Sequence, residues 1–309
     1  MTETTNSNNG FLTPILFLVF NRLDKTKRVF KEIRKAKPKK LYIASDGPRI
    51  YKEGENFEVE EIRKFLISSI DWDCEVKTFF REKNLGCKYA CSGAVDWFFE
   101  NEDMGIILED DTLPNESFFS FCEIMLNKYK DDFRIGFING TNFQNGIKRG
   151  DGDYYFSIFP HVWGWASWSN RWKNYDVEMN NFESPDFIKD IIKNKKVYKS
   201  WCKSFYQVKV EKFDTWDYQF AFALWSQKQL CINPNTNLIK NIGFDSIATH
   251  TKIINEFAKN ETKKLYLKNH PEIIKANTEA DKYFMKKAFI KPNIFKRILN
   301  KIYVKKFSK

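Results

Sequence analysis

The chain has 309 residues, 42% of them hydrophobic and 29% charged, which suits one large globular domain or two closely packed halves and excludes a disordered or fibrous protein. Its longest apolar run, Phe11 to Phe20, is too short to cross a bilayer, and no Lys or Arg precedes it as in a secretory signal. The formal net charge of +11 would suit a nucleic-acid partner, but ten Lys or Arg and no acid fall within residues 282–309, so the body is near neutral and a basic groove for nucleic acid is not expected.

In chain order, residues 1–10 are polar and read as a disordered N-terminus. Pro14–Phe20 predicts a buried strand, and Asp24 caps a helix whose apolar positions are Val29, Phe30 and Ile33. Leu41–Ala44 is a second strand, stopped by Ser45-Asp46-Gly47-Pro48, and a helix follows through Val59, Ile62, Leu66 and Ile70. Glu75–Phe80 alternates as a strand, Gly86–Asn101 is helical, and Gly105–Leu108 is a strand ended by Glu109-Asp110-Asp111. A helix over Asn115–Tyr129 leads to a strand at Arg134–Ile138. Strands alternating with helices predict an α/β fold with a largely parallel sheet, whose ligands collect at the carboxyl ends of the strands.

After Asn139 the pattern changes. Asn- and Gly-rich turns precede an aromatic stretch, His161 to Trp168, then a lysine-rich helix near Ile188–Phe205, a helix from Trp216 to Trp225 and a short strand at Leu230–Ile232. The organisation expected is 11–140 as a nucleotide-binding half, 141–255 as an acceptor and catalytic half of the same domain, and 256–309 as a basic helical tail. Six cysteines form no CxxC pair, which suits reduced thiols in a cytoplasmic protein. Neither GxxxxGK[ST] nor GxGxxG occurs, so a bound nucleotide must be held in another way.

The sharpest chemical feature is Glu109-Asp110-Asp111. Three carboxylates at the end of an apolar strand repel one another, and a divalent cation relieves that repulsion. The alternative is a solvated strand end, with Asp111 or Asn115 capping the next helix.

Strand, EDD and helix together resemble the DxD-type motif of GT-A glycosyltransferases. Other segments agree in order: Asn21-Arg22 after the first strand, Asp46-Gly47 after the second, Arg81 to Gly86 before the next helix, then Trp163-Gly164-Trp165, Trp216-Asp217 and His250. The resemblance covers about residues 14–251 and implies a Rossmann-type, GT-A-like domain that transfers sugar, with inversion, from a nucleotide-diphospho-sugar donor, a UDP-sugar, in bacterial surface-polysaccharide synthesis. Carried over position by position, Asp46 receives the base, Arg22 lies near the diphosphate with Arg81 or Lys88 adding positive charge there, and Asn21 belongs to the donor site. Asp110 approaches the ribose, Glu109 faces the sugar, and Asp111 with His250 holds Mn²⁺ or Mg²⁺. Gly164 and Trp165 border the donor, and Asp217 is the base that activates a glycan or lipid-linked acceptor, with Asp214 in reserve. The sequence departs by carrying Tyr218 after Trp216-Asp217. A sugar-1-phosphate nucleotidyltransferase, or a non-catalytic glycan- or lipid-binding protein on the same scaffold, is the competing reading. Apolar residues at i, i+4 spacing within Asn293–Phe307, flanked by lysines, predict an amphipathic helix lying on an anionic membrane surface.

Overall fold

The computed structural model describes residues 11–180, 182, 186–244, 257 and 259–289. Its first part alternates as predicted: β1 (Ile15–Val19), α1 (Leu23–Ala36), β2 (Lys40–Ser45), α2 (Glu55–Ser68), β3 (Glu75–Phe80), α3 (Gly86–Asn101) and β4 (Met104–Glu109). Then come β5 (Thr112–Pro114), α4 (Glu116–Tyr129), β6 (Ile135–Asn139), β7 (Tyr154–Ser157) and β8 (Trp165–Trp168). The remaining elements are α5 (Ser169–Trp172), α6 (Ile188–Ile191), α7 (Lys195–Lys209), α8 (Asp217–Ser226), β9 (Leu230–Pro234), β10 (Ile239–Asn241) and α9 (Thr278–Phe289).

Among the described residues the central sheet has eight strands in the order β3-β2-β1-β4-β8-β6-β9-β7. All pairs among β3, β2, β1 and β4 are parallel, β8 runs against both β4 and β6, β6 and β9 are parallel, and β7 runs against β9. The fold is therefore α/β with a mostly parallel sheet, and its first four strands take the Rossmann-type order. β5 and β10 form a separate antiparallel pair just beyond the end of β4.

The apolar runs that mark β1, β2 and β4 have a simple cause. Their side chains alternate between two cores, one on each face of the sheet. Ile15, Phe17, Leu41, Ile43, Ile106 and Leu108 join α1, α2 and α4 on one side. Leu16, Leu18, Tyr42, Ala44 and Ile107 join α3 and α8 on the other. A strand covered on both faces shows no polar alternation. A third cluster packs α7 against α8 through Trp201, Phe205, Ala221 and Trp225.

Three expectations are corrected. Asp24 sits in the first turn of α1, and the residue at the cap position is Arg22. The lysine-rich helix is two helices, broken before Asn194, whose Oδ1 accepts from the backbone N–H groups of Lys196 and Val197 at 3.0 and 3.2 Å. The segment after residue 259 is not a uniformly helical tail. Lys268 and Asn269 donate backbone N–H groups to Asp153 at 2.7 Å each, and only from Thr278 does the chain become α9. Residues 290–309, with the amphipathic pattern, lie outside the described residues.

Candidate functional site

The loops that leave β1, β2, β3 and β4 converge on a cavity of about 420 Å³ at the carboxyl edge of the sheet, bordered by Arg22, Asp46, Arg81, Glu109 and Asp110. This is where the strand order places a ligand cleft. The acidic triplet lies here because β4, the last of the four adjacent parallel strands, stops at Glu109, leaving Asp110 and Asp111 in the turn before β5.

Arg22 spans both aspartates. Its guanidinium grips the Asp110 carboxylate in a fork, and Nη1 donates to Asp111 Oδ2 at 2.8 Å. Such forks suit paired oxygens. The carboxylate crowding read from the sequence is thus relieved in part by an arginine of the chain itself. Burial nevertheless pushes the Asp110 carboxyl up to about 6 against the pull of Arg22. Glu109 is raised well above the carboxylate range, by burial first and then by Asp111. Asp111 is half-buried, and only its Oδ2 takes part in the Arg22 pair. Hard carboxylate oxygens of this kind fit Mg²⁺ or Mn²⁺ completed by phosphate oxygens. No cluster of three or more His, Cys, Asp or Glu suited to a metal occurs among the described residues, and His250 lies outside them.

Asp46 borders the cavity but is already engaged. Its oxygens accept from Gly47 N at 2.9 Å, Leu85 N at 3.0 Å, Gly86 N at 3.2 Å and Asn84 Nδ2 at 2.8 Å. It therefore ties the β2 loop to the loop before α3, and burial raises its carboxyl while these N–H groups lower it. Gly47 is required there, since a Cβ would meet the Lys83 backbone at 2.4 Å. The Arg81 guanidinium lies over the Phe79 ring at 4.3 Å, on the cavity wall.

Two residues expected in the donor site turn elsewhere. Lys88 is buried and pairs with Glu178 at 3.0 Å, away from the cavity lining. Asn21 donates to Glu55 at 2.9 Å, and this buried carboxylate also holds Arg49, which keeps it near pKa 2. Arg49 and Asn84 border the cavity and were not anticipated. Their positions in the loops directly after β2 and β3 were the available signal.

The tryptophans divide. Trp165, expected at the donor, has no exposure and stacks on Phe137 with centroids 5.1 Å apart. Trp168 is likewise buried, with Nε1 donating to Leu126 O at 3.2 Å. Gly164 does not line the cavity. With φ at +65°, it permits close packing, because a Cβ would come within 2.6 Å of Ile239. Gly164→Ala is expected to cost about 1–3 kcal/mol. Urea unfolding checks this, and parental stability would contradict it.

Trp163 faces a second cavity, of about 360 Å³, which also contains Asp217. Asp214, three residues earlier, borders the first cavity, so the two Cα atoms are at most about 11 Å apart and the cavities flank one short segment. Asp214 caps α3, accepting from Cys87 N at 3.1 Å and Lys88 N at 2.7 Å. Asp217 opens α8, accepts the Thr215 hydroxyl, and is raised in pKa by burial. A desolvated carboxylate at a cavity wall is equipped to take a proton from a hydroxyl.

His161, the first residue of the aromatic stretch, is buried in this wall between Phe143 and Phe284, at centroid distances of 4.5 and 4.6 Å. Burial lowers its pKa to about 3, so the folded chain keeps it neutral while the unfolded chain takes up a proton near 6.5. Stability from this residue is present above pH 6.5 and falls by about 1.4 kcal/mol per pH unit below it. His161→Phe should flatten the acid limb of the urea-stability profile between pH 6.5 and 4.5, and a profile parallel to the parent's would refute the assignment.

No protein-family model matches the chain, and no curated protein matches it in sequence. Solved structures similar to it include a mannosyltransferase from Pyrobaculum calidifontis in complex with GDP-Man and Mn²⁺, at 10% identity and TM-score 0.38, covering 71% of this chain and 70% of the other. HddC from Yersinia pseudotuberculosis matches at 11% identity and TM-score 0.32, over 53% of this chain and 80% of its own. UDP-glucose pyrophosphorylase complexed with UDP-glucose matches at 8% identity and TM-score 0.37, over 72% and 90%.

Proposed function

We propose that this chain is a metal-assisted GT-A-type glycosyltransferase that moves a sugar from a nucleotide-diphospho-sugar, a UDP-sugar, to a hydroxyl of a glycan or lipid-linked acceptor. The observation that carries this reading is the convergence of Arg22, Arg81, Glu109 and Asp110 on one cavity, with Asp111 joined to its edge through Arg22 and the Asp217 cavity a few residues away. In this reading Arg22 and Arg81 supply positive charge to the diphosphate. Asp111, with His250 as a candidate second ligand, would hold Mn²⁺ or Mg²⁺, which neutralises charge on the departing diphosphate. Asp217 takes the proton of the acceptor hydroxyl. A base on the side opposite the leaving group implies direct displacement, hence inversion.

Product analysis tests this reading. Incubation with UDP-sugars and Mn²⁺ should release free nucleoside diphosphate. Pyrophosphate formed from a sugar phosphate and a nucleoside triphosphate would instead establish nucleotidyl transfer, and no turnover with any donor would favour a binding protein. A setting in bacterial surface-polysaccharide synthesis belongs to the same proposal. No described helix is long and apolar enough to cross a membrane. The basic segment 290–309 is proposed to hold the enzyme on anionic lipid, each nearby Lys or Arg contributing roughly 1 kcal/mol. A truncation to test it belongs after Phe289, because α9 is packed into the body with Ala280 and Asp281 buried. The truncated chain should lose co-sedimentation with anionic vesicles. Equal binding by both forms would reject the anchor.

A further inference from the structure

We infer that the second cavity binds one pyranose ring of a glycan, with a C–H face of the sugar against aromatic rings, and that α9 supplies one wall of that site. The inference rests on reading Asp217 as the base and narrows the acceptor to a sugar. Trp163 and Phe143 meet edge to face at 5.4 Å, and Phe143 lies nearly parallel to Phe284, with centroids 5.9 Å apart. All three rings border the cavity, as do Phe257 and Phe289. A pyranose combines apolar C–H faces with a hydroxyl rim, and such a ligand fits a wall of rings with few polar groups.

An aliphatic chain would fill the same apolar space, but two polar groups separate the ligands. The first is the Asp217 carboxylate, which a sugar hydroxyl can meet and an alkyl chain cannot. The second is Trp201, whose ring forms part of the wall and whose Nε1–H is buried with no acceptor among the described residues. A buried donor without an acceptor is unfavourable, and a polyol oxygen is the kind of group that relieves it.

Helix α9 brings Phe284, Ala288 and Phe289 to the cavity. Its place is set by Asp281, which accepts from Ser157 Oγ at 2.5 Å, and by Ala280 O, which accepts from Gln144 Nε2 at 3.2 Å. Helix α9 is thus a component of the site, distinct in role from the basic sequence that follows it.

The test titrates the full chain, without nucleotide-sugar, with methyl glucoside, methyl galactoside and methyl N-acetylglucosaminide, following tryptophan fluorescence, with octanol as the aliphatic probe. At least one pyranoside should bind saturably. Phe284→Ala should weaken it about tenfold or more, Phe284→Tyr should retain it, and Trp201→Phe should weaken it severalfold. Thermal midpoints near the parental value certify that the variants are folded. Octanol binding with no saturable pyranoside up to tens of millimolar, or pyranoside binding indifferent to both Phe284→Ala and Trp201→Phe, would overturn the inference. Nucleoside diphosphate release, measured separately, distinguishes the two proposals. Pyranoside binding in a chain that consumes no nucleotide-sugar supports the cavity assignment and removes the reaction. Release in a chain that binds no pyranoside removes the cavity assignment alone.

Discussion

Asp111→Asn is expected to abolish the metal-dependent part of nucleotide-sugar binding while leaving the chain folded. Asparagine keeps the size of the side chain and leaves the Arg22 fork on Asp110 intact. The backbone of residue 111 is held independently, its carbonyl accepting from Ile242 N at 2.8 Å. What is lost is a charged oxygen donor for a hard cation. Losses at groups that merely support metal ligands reach 10–100-fold, so a direct ligand should cost about 100-fold or more in affinity. Calorimetric titration of a UDP-sugar with and without Mn²⁺ measures this, and a thermal midpoint within a few degrees of the parent verifies folding. Unchanged affinity in the presence of Mn²⁺ would remove the metal from Asp111.

For Asp217→Asn the expected result is donor binding close to normal with turnover reduced by about 10²–10⁴-fold, the usual contribution of a general base. Asp217 lies in the second cavity, apart from the groups that would hold the diphosphate, which is why the two measurements should separate. The burial that raises its pKa also makes it a stronger proton acceptor. Asp214 is a poor substitute, because both of its oxygens are committed to the first turn of α3. Activity within a few-fold of the parent would eliminate Asp217 as the base. A large fall in stability with activity scaled to folded protein would make it a helix-terminus residue, to which the macrodipole contributes only about 0.3–1 kcal/mol.

The strand–helix alternation and the EDD turn were legible in the sequence for related reasons. β1, β2 and β4 are covered on both faces, so each appears as a short apolar run, and charge can begin only where the sheet stops, at Glu109. The helix over Glu116–Tyr129 was legible from its own cap, since Asn115 Oδ1 accepts from Ser117 N at 3.0 Å, a contact two residues long. β8 was not: in Trp165–Trp168 every residue is buried, and the strand is inserted between β4 and β6 against both. Aromatic residues alone do not distinguish such a strand from a cavity wall, and Trp163, two residues before it, did become a cavity wall.

What the sequence determined by itself is the class of the fold, the sheet edge at which the acidic triplet ends β4 beside a cavity, and the residue types placed there. Tertiary structure decided which charges meet. Arg22 belongs to Asp110, 88 positions away, and Lys88 to Glu178, 90 positions away. Asn21 was drawn to Glu55, and Asp214 to the start of α3. The physical reason is the reach of each interaction: periodicity and caps act over a few residues and are written locally, whereas an ion pair or a cavity exists only after the strand order has brought distant loops to one edge.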